Sequence, residues 1–150
     1  MTDIVRIFQD YATNKGWVYD YGSQYAINLI EQGYTWTGLE STIYFLHEFR
    51  RGSRIDNNTM KYDGTFYLLV HSDMNQNFFS EVGTVAEGKY ENNIEPLVTD
   101  VYNPFWNDFY CSQMEVLSTN FIDVTNFLDA NTDGIKIDYS VQYINSYDGR

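Results

Sequence analysis

The chain has 150 residues, with 9 Lys and Arg against 21 Asp and Glu and a formal net charge of −12. This length fits one domain with a core of its own. The charge argues against a protein that grips nucleic acid, because such proteins neutralise phosphates with Lys and Arg. The single cysteine, Cys111, excludes an internal disulfide and favours a reducing compartment.

The first residues are predicted to form an amphipathic helix that packs on another element. Thr2 is expected to cap this helix and Gly16 to end it. Its apolar residues follow helical spacing: Ile4, Val5, Phe8, Tyr11 and Ala12. A short extended piece is expected over residues 17–22. Ser23 is then expected to cap a second, short helix that ends at Gly33.

The middle of the chain predicts a β-hairpin with a long connection. Ser41–Arg50 and Thr65–Ser72 both alternate between two faces, which is typical of strands. On the first strand, one face is predicted to carry Ile43, Phe45, His47 and Phe49, and the other Tyr44, Leu46, Glu48 and Arg50. The connection over residues 51–64 is polar and longer than the usual hairpin loop of about 2–5 residues. It is therefore predicted to project from the sheet as an arm.

A helix is predicted next, over residues 91–110. Its apolar stripe consists of Ile94, Leu97, Val98, Val101, Phe105 and Phe109. Pro96 fits its first turn, whereas Pro104 lies inside it and is expected to kink or split it.

The last two predicted strands are Ser112–Val124 and Gly134–Asn145, joined by the loop 126–133. The final strand points Ile135, Ile137, Tyr139, Val141 and Tyr143 to one face, which indicates a half-buried antiparallel strand. The order α-(α)-β-β-α-β-β predicts a single α+β domain over residues 1–150. Its expected architecture is a four-stranded antiparallel sheet of two hairpins, with helices packed on one face.

The loop before the final strand resembles part of a calcium-binding loop. Asp129, Asn131, Asp133 and Gly134 fit the first ligand positions and the glycine of an EF-hand. Ser140, however, occupies the position that requires a bidentate Glu, and a strand follows where a helix is needed. The pattern therefore favours a turn without a bound ion, because Asp and Asn bond their own backbone in turns; an ion site is the alternative.

The remaining candidates for chemistry are the histidines and the cysteine. His47 and His71 lie on strands that are expected to pair, and with Glu48 or Asp73 they would form a metal site. Two independent histidines are favoured, because no third ligand lies at a fixed spacing. Cys111 with a distant histidine is a nucleophile–base candidate, although a buried inert thiol is favoured. We therefore predict no catalytic residues, no metal, no cofactor and no enzymatic activity.

A small basic cluster stands out in this acidic chain. Arg50, Arg51 and Arg54 lie at the start of the connection between the first two strands. They are either solvated charges or contact residues for an acidic surface on a neighbouring subunit. We treat them as candidate interaction residues.

Three stretches also carry a resemblance to a known family: Tyr21-Gly-Ser-Gln-Tyr25, Tyr62-Asp-Gly-Thr-Phe-Tyr-Leu-Leu-Val-His-Ser-Asp73 and Phe127-Leu-Asp-Ala-Asn-Thr-Asp-Gly-Ile-Lys-Ile137. With the element order, they resemble the tail-terminator or tail-completion proteins of tailed phages, a kind of head–tail connector or neck ring protein. The stretches are similar to phage or prophage proteins from gut Bacteroidetes-type hosts. The chain departs from the family in lacking a proline-marked strand after Tyr34.

The resemblance implies a non-enzymatic structural subunit of a virion, assembled in the host cytoplasm. Copies would form a homo-oligomeric ring beside neck, portal or tail proteins, and DNA would pass through without specific binding. The sequence lacks a signal-peptide pattern or an apolar run of the about 20 residues that span a membrane, which predicts no membrane association. The main alternative is an acidic immunity or antitoxin-like protein that binds a basic partner protein. A metal-dependent enzyme that uses the histidines is the second alternative.

Overall fold

A computed structural model describes residues 3–22, 43–71, 88, 90–110, 114–127 and 132–144. Its helices and strands are α1 (Ile4–Lys15), β1 (Val18–Tyr21), β2 (Tyr44–Arg54), β3 (Thr59–His71), α2 (Asn103–Tyr110), β4 (Met114–Phe127) and β5 (Thr132–Ile144). The strands form one five-stranded sheet in the order β1-β2-β3-β5-β4. The predicted α+β class is confirmed. The prediction of four antiparallel strands is wrong, because β1 joins the sheet as a fifth strand parallel to β2.

Helix α1 begins and ends at residues suited to these positions. Asp3 is its N-cap, and its Oδ1 accepts a hydrogen bond of 3.0 Å from the Val5 amide. Gly16 ends the helix with φ 79°, as predicted, in the left-handed region that glycine adopts without a Cβ penalty. The cap is therefore one residue later than the predicted Thr2. The predicted helix between Ser23 and Gly33 lies outside the described residues.

The connection between β2 and β3 is much shorter than predicted. Strand β2 continues to Arg54 and β3 begins at Thr59, so only residues 55–58 lie between the strands. The prediction of a long polar loop is therefore wrong. Strand β3 also pairs with β5 as far as Thr59 opposite Ile144. The 51–64 segment is a hairpin, as expected, but its strands are part of the sheet and only the turn extends past them.

A β-bulge in β2 reverses the predicted faces after His47. His47 lies opposite Phe66, but the next paired residue of β2 is Phe49, opposite Thr65. The extra residue, Glu48, shifts the alternation by one position, which moves every later side chain to the other face. Arg50 therefore lies on the face that packs against α1, and the prediction that Phe49 shares the face of His47 is wrong.

The predicted helix over 91–110 is divided into shorter pieces. Two π-helical segments, Tyr90–Ile94 and Leu97–Tyr102, precede α2. Pro96 lies at the start of the second segment, and Pro104 is the second residue of α2. The helical run changes from π to α at Asn103, next to Pro104, and Asn103 itself has right-handed helical dihedrals. The kink or split expected at Pro104 stays a prediction.

The core lies between the sheet and the helices. Helix α1, α2 and the π-helical segments contribute Phe8, Ile94, Leu97 and Phe105 to it, and the alternating residues predicted on the last strand, Ile135, Ile137, Tyr139 and Val141, face them. We call this the inner face of the sheet. On the outer face, a smaller buried cluster consists of Tyr44, Leu46, Tyr67 and Leu69.

Candidate functional site

A buried histidine joins three strands at the centre of the inner face. His47 of β2 is completely buried. Its Nδ1 lies 2.8 Å from the Tyr19 hydroxyl on β1, and its Nε2 lies 2.7 Å from the Tyr139 hydroxyl on β5. A neutral imidazole has one N–H, so one tyrosine donates a hydrogen bond to the ring and the other accepts one. Both ring nitrogens are therefore occupied by the chain itself.

The surroundings keep this imidazole neutral. The pKa of His47 is lowered to about 3, chiefly by burial and also by the positive charge of Arg50, with the Asp3 carboxylate acting in the opposite direction. Burial also raises the pKa of Tyr139 and of Tyr19 above the ordinary value. All three groups are uncharged at neutral pH. The three side chains form a hydrogen-bonded link between strands. Because His47 is completely buried, a substrate has no access to its ring.

The two histidines are not brought together. In the strand register, His47 lies opposite Phe66, whereas His71 lies opposite Thr132 on the other neighbour of β3. Asp73 lies outside the described residues. In the described ranges, no group of three or more His, Cys, Asp or Glu residues could hold a metal ion. The register therefore contradicts the idea that pairing of the strands would place the two histidines side by side.

The calcium-loop residues are only partly placed by the structure. Asp133 belongs to β5, is completely buried, and accepts a hydrogen bond of 2.9 Å from the Asn93 side chain. Strand β5 begins at Thr132, so Asp133 lies within a strand, one residue earlier than the predicted strand start. Asp129 and Asn131 lie outside the described residues, as does Cys111. The absence of a bound ion stays a prediction, which calorimetric titration with calcium would test.

The three arginines of the predicted contact cluster have different environments. Arg50 donates two hydrogen bonds to Asp3, from Nε to Oδ1 at 2.9 Å and from NH2 to Oδ2 at 2.7 Å. Arg54 donates to the Asp56 carbonyl and the Asn57 side chain, within its own turn. Arg51 is exposed on β2. Arg50 is thus engaged within the chain, where it joins β2 to the N-terminus of α1.

Among the described strands, β4 forms one edge of the sheet, which we call an open edge. This strand of 14 residues pairs with β5 on one side, and no other described strand pairs with it. Its exposed apolar residues include Leu117, Phe121 and Ile122, and its only charged residues are Glu115 and Asp123. An unpaired edge presents a row of backbone donors and acceptors that can accept another strand.

A second open edge lies at the opposite side of the sheet. Strand β1 covers β2 only from Tyr44 to His47. From Phe49 to Arg54, β2 pairs with β3 alone among the described strands. This part of β2 contains Arg51 and the exposed ring of Phe49, and it is basic where the β4 edge is acidic. The sequence did not predict either edge, because the alternation of apolar and polar residues identifies strands but does not give their order in the sheet.

The partners of His47 and Arg50 were also missed from the sequence. Tyr19, Tyr139 and Asp3 lie far from these residues along the chain, and only the tertiary structure brings them together. Tyr139 was placed on the buried face, which is correct. The sequence did contain one signal for this contact. A tyrosine and a histidine were both predicted on strands, and a tyrosine hydroxyl or an imidazole that is buried needs a hydrogen-bond partner.

Comparison with protein-family models, with curated proteins and with solved structures finds no match for this chain. Within the described residues, none of the helices has the length and apolar character needed to cross a membrane. The fold and the contacts of the side chains are therefore the basis for a functional proposal.

Proposed function

We propose that this chain is a non-enzymatic structural subunit that assembles side by side with other copies into a ring at the head–tail or neck junction of a tailed-phage virion. The observation that carries the proposal is a pair of strand edges on opposite sides of one sheet that no other described strand pairs with; we call them the two open edges. A contact between two different surfaces of identical subunits is heterologous, and it forms a ring when the rotation between subunits closes. A subunit with two different open edges has the surfaces that such a contact needs.

The environment of His47 supports a structural role for this residue. The imidazole is completely buried, and both its nitrogens are engaged by tyrosine hydroxyls of the same chain. A general base has to come within hydrogen-bond distance of the proton that it removes. His47 instead links β2 to the neighbouring strand β1 and, across β3, to β5.

The charge of the chain supports a passive relation to DNA. With a net charge of −12, the free protein is expected not to bind duplex DNA at physiological salt. In a ring, acidic groups facing the bore would repel phosphates over about 8 Å at ~0.15 M ionic strength, so DNA would pass without sticking. A mobility-shift titration tests this: duplex binding that persists at physiological salt contradicts the passive role.

Mass spectrometry of purified virions tests the proposed function directly. The chain is expected in several copies per particle, and limited disassembly should place it with neck, portal or tail proteins. Its absence from purified particles, in preparations that contain the known neck proteins in full amount, overturns the proposal.

The same acidic charge favours one alternative, an immunity or antitoxin-like protein that masks a basic partner. Sizing separates the two functions. An immunity protein would elute as a small species and shift to a defined complex when its basic partner is added, whereas a ring subunit would give large species or copurify with virions.

A further inference from the structure

The two open edges match each other in charge and in apolar content. We propose that the β4 edge of one copy pairs as an antiparallel strand with residues Phe49–Arg54 of β2 in a second copy of this chain. Arg51 then lies opposite Glu115, and Phe49 opposite Leu117. This proposal rests on the proposed function, because it names the contact between neighbouring subunits.

The directions of the strands allow this pairing. Strand β2 is antiparallel to β3, β3 to β5, and β5 to β4, so β4 runs antiparallel to β2. A second copy placed beside the first in the same orientation therefore presents its β4 antiparallel to the open part of β2. The new pair continues the pattern of the sheet, and antiparallel strands form their hydrogen bonds perpendicular to the strands.

Arg51 and Glu115 lie on the same face of the sheet. Arg51 is opposite Asp63, which is opposite Ser140 on β5, and Glu115 is opposite Gln142 on β5. Ser140 and Gln142 are two positions apart on one strand, so they share the outer face. Arg51 and Glu115 therefore point to the same side when the two edges meet.

The two edges also lie at the same level of the sheet. Going across the sheet, Arg54 is opposite Met60, Met60 is opposite Tyr143, and Tyr143 is opposite Met114. The open part of β2 and the first residues of β4 are thus at the same end of their strands. Neighbouring copies then need only a small displacement along the strand direction, which is typical of sheets that close into rings or barrels.

Exposure and charge identify a second copy as the occupant. Phe49 is 43% and Leu117 is 44% exposed, and Arg51 and Glu115 are also exposed. The chain supplies both a basic edge and an acidic edge, so copies of the same chain complement each other locally. The net charge of −12 opposes association at long range, and about 0.15 M salt screens that repulsion beyond about 8 Å.

Charge reversal tests the pairing. Arg51→Glu and Glu115→Arg are each expected to weaken self-association of the purified chain at least tenfold at 0.15 M salt, measured by sedimentation velocity over a range of concentrations. A mixture of the two variants should restore association. When the two variants alternate, every contact between position 51 of one copy and position 115 of the next again joins an acidic and a basic side chain. The double variant, Arg51→Glu with Glu115→Arg, should also associate.

Arg54→Glu is the matched control. It makes the same change in net charge on the same strand, but Arg54 lies on the other face of β2 and bonds within its own turn. Its association is expected to stay within about twofold of the unmodified chain. An equal loss in Arg54→Glu would show a net-charge effect and overturn the specific register.

A cross-link captures weak association. Phe49→Cys and Leu117→Cys, both with Cys111→Ser, are mixed and oxidised, and a disulfide between copies is expected. Lack of the cross-link, or failure of the charge-reversed mixture to associate, overturns the pairing. A symmetric dimer of two β4 strands would instead be insensitive to Arg51→Glu.

The two proposals can fail separately. If the chain is present in virions but Arg51→Glu assembles normally, the proposed function stands and the edge pairing is wrong. If the charge-reversed mixture associates but the chain is absent from virions, the edge pairing stands and the virion role is wrong.

Discussion

The centre and the margins of this sheet differ in how they use their side chains. At the centre, His47 and Tyr139 are buried and hydrogen-bonded to each other, and Phe8 of α1 packs over them. At the margins, Phe49 is exposed near the basic Arg51 on β2, and Leu117 is exposed near the acidic Glu115 on β4. The central side chains stabilise the fold, whereas the marginal side chains are available for contact with another subunit. Stability and association are thus expected to respond to different substitutions.

Phe8→Ala is expected to give the largest loss of stability. The Phe8 ring is completely buried. Its centroid lies within 6.4 Å of the ring centroids of seven other residues, which belong to α2 and to three strands. Truncation of such a residue costs about 3–5 kcal/mol of the free energy of unfolding. Urea denaturation followed by circular dichroism measures it. Phe49→Ala is the control. If it lowers the free energy of unfolding by more than about 1 kcal/mol, the marginal side chain also stabilises the fold, which contradicts the comparison.

Two glycines of the central strands are expected to tolerate no side chain. A Cβ at Gly134 would lie 1.9 Å from the Leu68 carbonyl oxygen, and one at Gly64 would lie 2.2 Å from the Phe49 carbonyl oxygen. Because these are backbone atoms, the strands themselves would have to move, and we expect each alanine variant to lose about 1–3 kcal/mol. Melting temperatures measure the effect.

Gly52→Ala is the matched control for these glycines at the margin. The nearest atom to a Cβ there is a ring atom of Tyr62 at 3.3 Å and not a backbone atom, so neither strand has to move. Its melting temperature is expected to change little. A loss at Gly52 equal to that at Gly64 would contradict the difference between the centre and the margin.

His47 is expected to make stability depend on pH. Its pKa is about 3 in the folded chain against an ordinary value of 6.5, so the unfolded chain binds the proton more readily. The contribution of neutral His47 is fully present above about pH 6.5 and is lost as the pH falls from there towards 3. Between pH 6 and 5, the free energy of unfolding should fall by up to about 1.4 kcal/mol per pH unit.

His47→Gln identifies the source of this slope. Glutamine keeps a donor and an acceptor for the two tyrosines but does not titrate, so the variant should be less stable at pH 7 and lose less stability between pH 6 and 5. Chemical denaturation at each pH measures both slopes. Equal slopes in the two proteins would assign the pH dependence to other groups.

The smallest expected effect concerns the link between α1 and β2. Asp3 both caps α1 and pairs with Arg50, whose side chain is 35% exposed. Asp3→Asn keeps the cap and removes the ion pair, and since the pair is partly exposed we expect a loss below about 1 kcal/mol. Asp3→Ala removes both and should lose about 1 kcal/mol more. If the two variants are equally stable, the cap contributes nothing here.

Local patterns in the sequence predicted much of the fold. The alternation of Ile135 to Tyr143 and the stop of α1 at Gly16 each depend on neighbouring residues, and both are confirmed. The bulge at Glu48 reversed the predicted face of Phe49, because an inserted residue leaves no mark in a single strand's pattern. The short strand β1 was expected only as an extended piece, since its parallel pairing depends on residues far along the chain.

The candidate site was less predictable than the fold. The arginine cluster was visible in the sequence, but sequence alone could not show that Arg50 pairs with Asp3 while Arg51 is exposed. His47 was a candidate for metal binding because it and His71 lie on strands that were expected to pair. Its two tyrosines come from opposite ends of the chain, and only the folded sheet brings them to it.

The position of β5 has a consequence for synthesis of the chain. His47 is joined to Tyr19, 28 residues away, and to Tyr139, 92 residues away. Strand β5 lies between β3 and β4, so the sheet cannot be completed until residues 132–144 have left the ribosome. At about 5–20 residues per second, β3 then waits for seconds with one edge and its apolar side chains uncovered. The nascent chain is therefore expected to depend on chaperones late in translation, and to be most prone to aggregation just before β5 emerges.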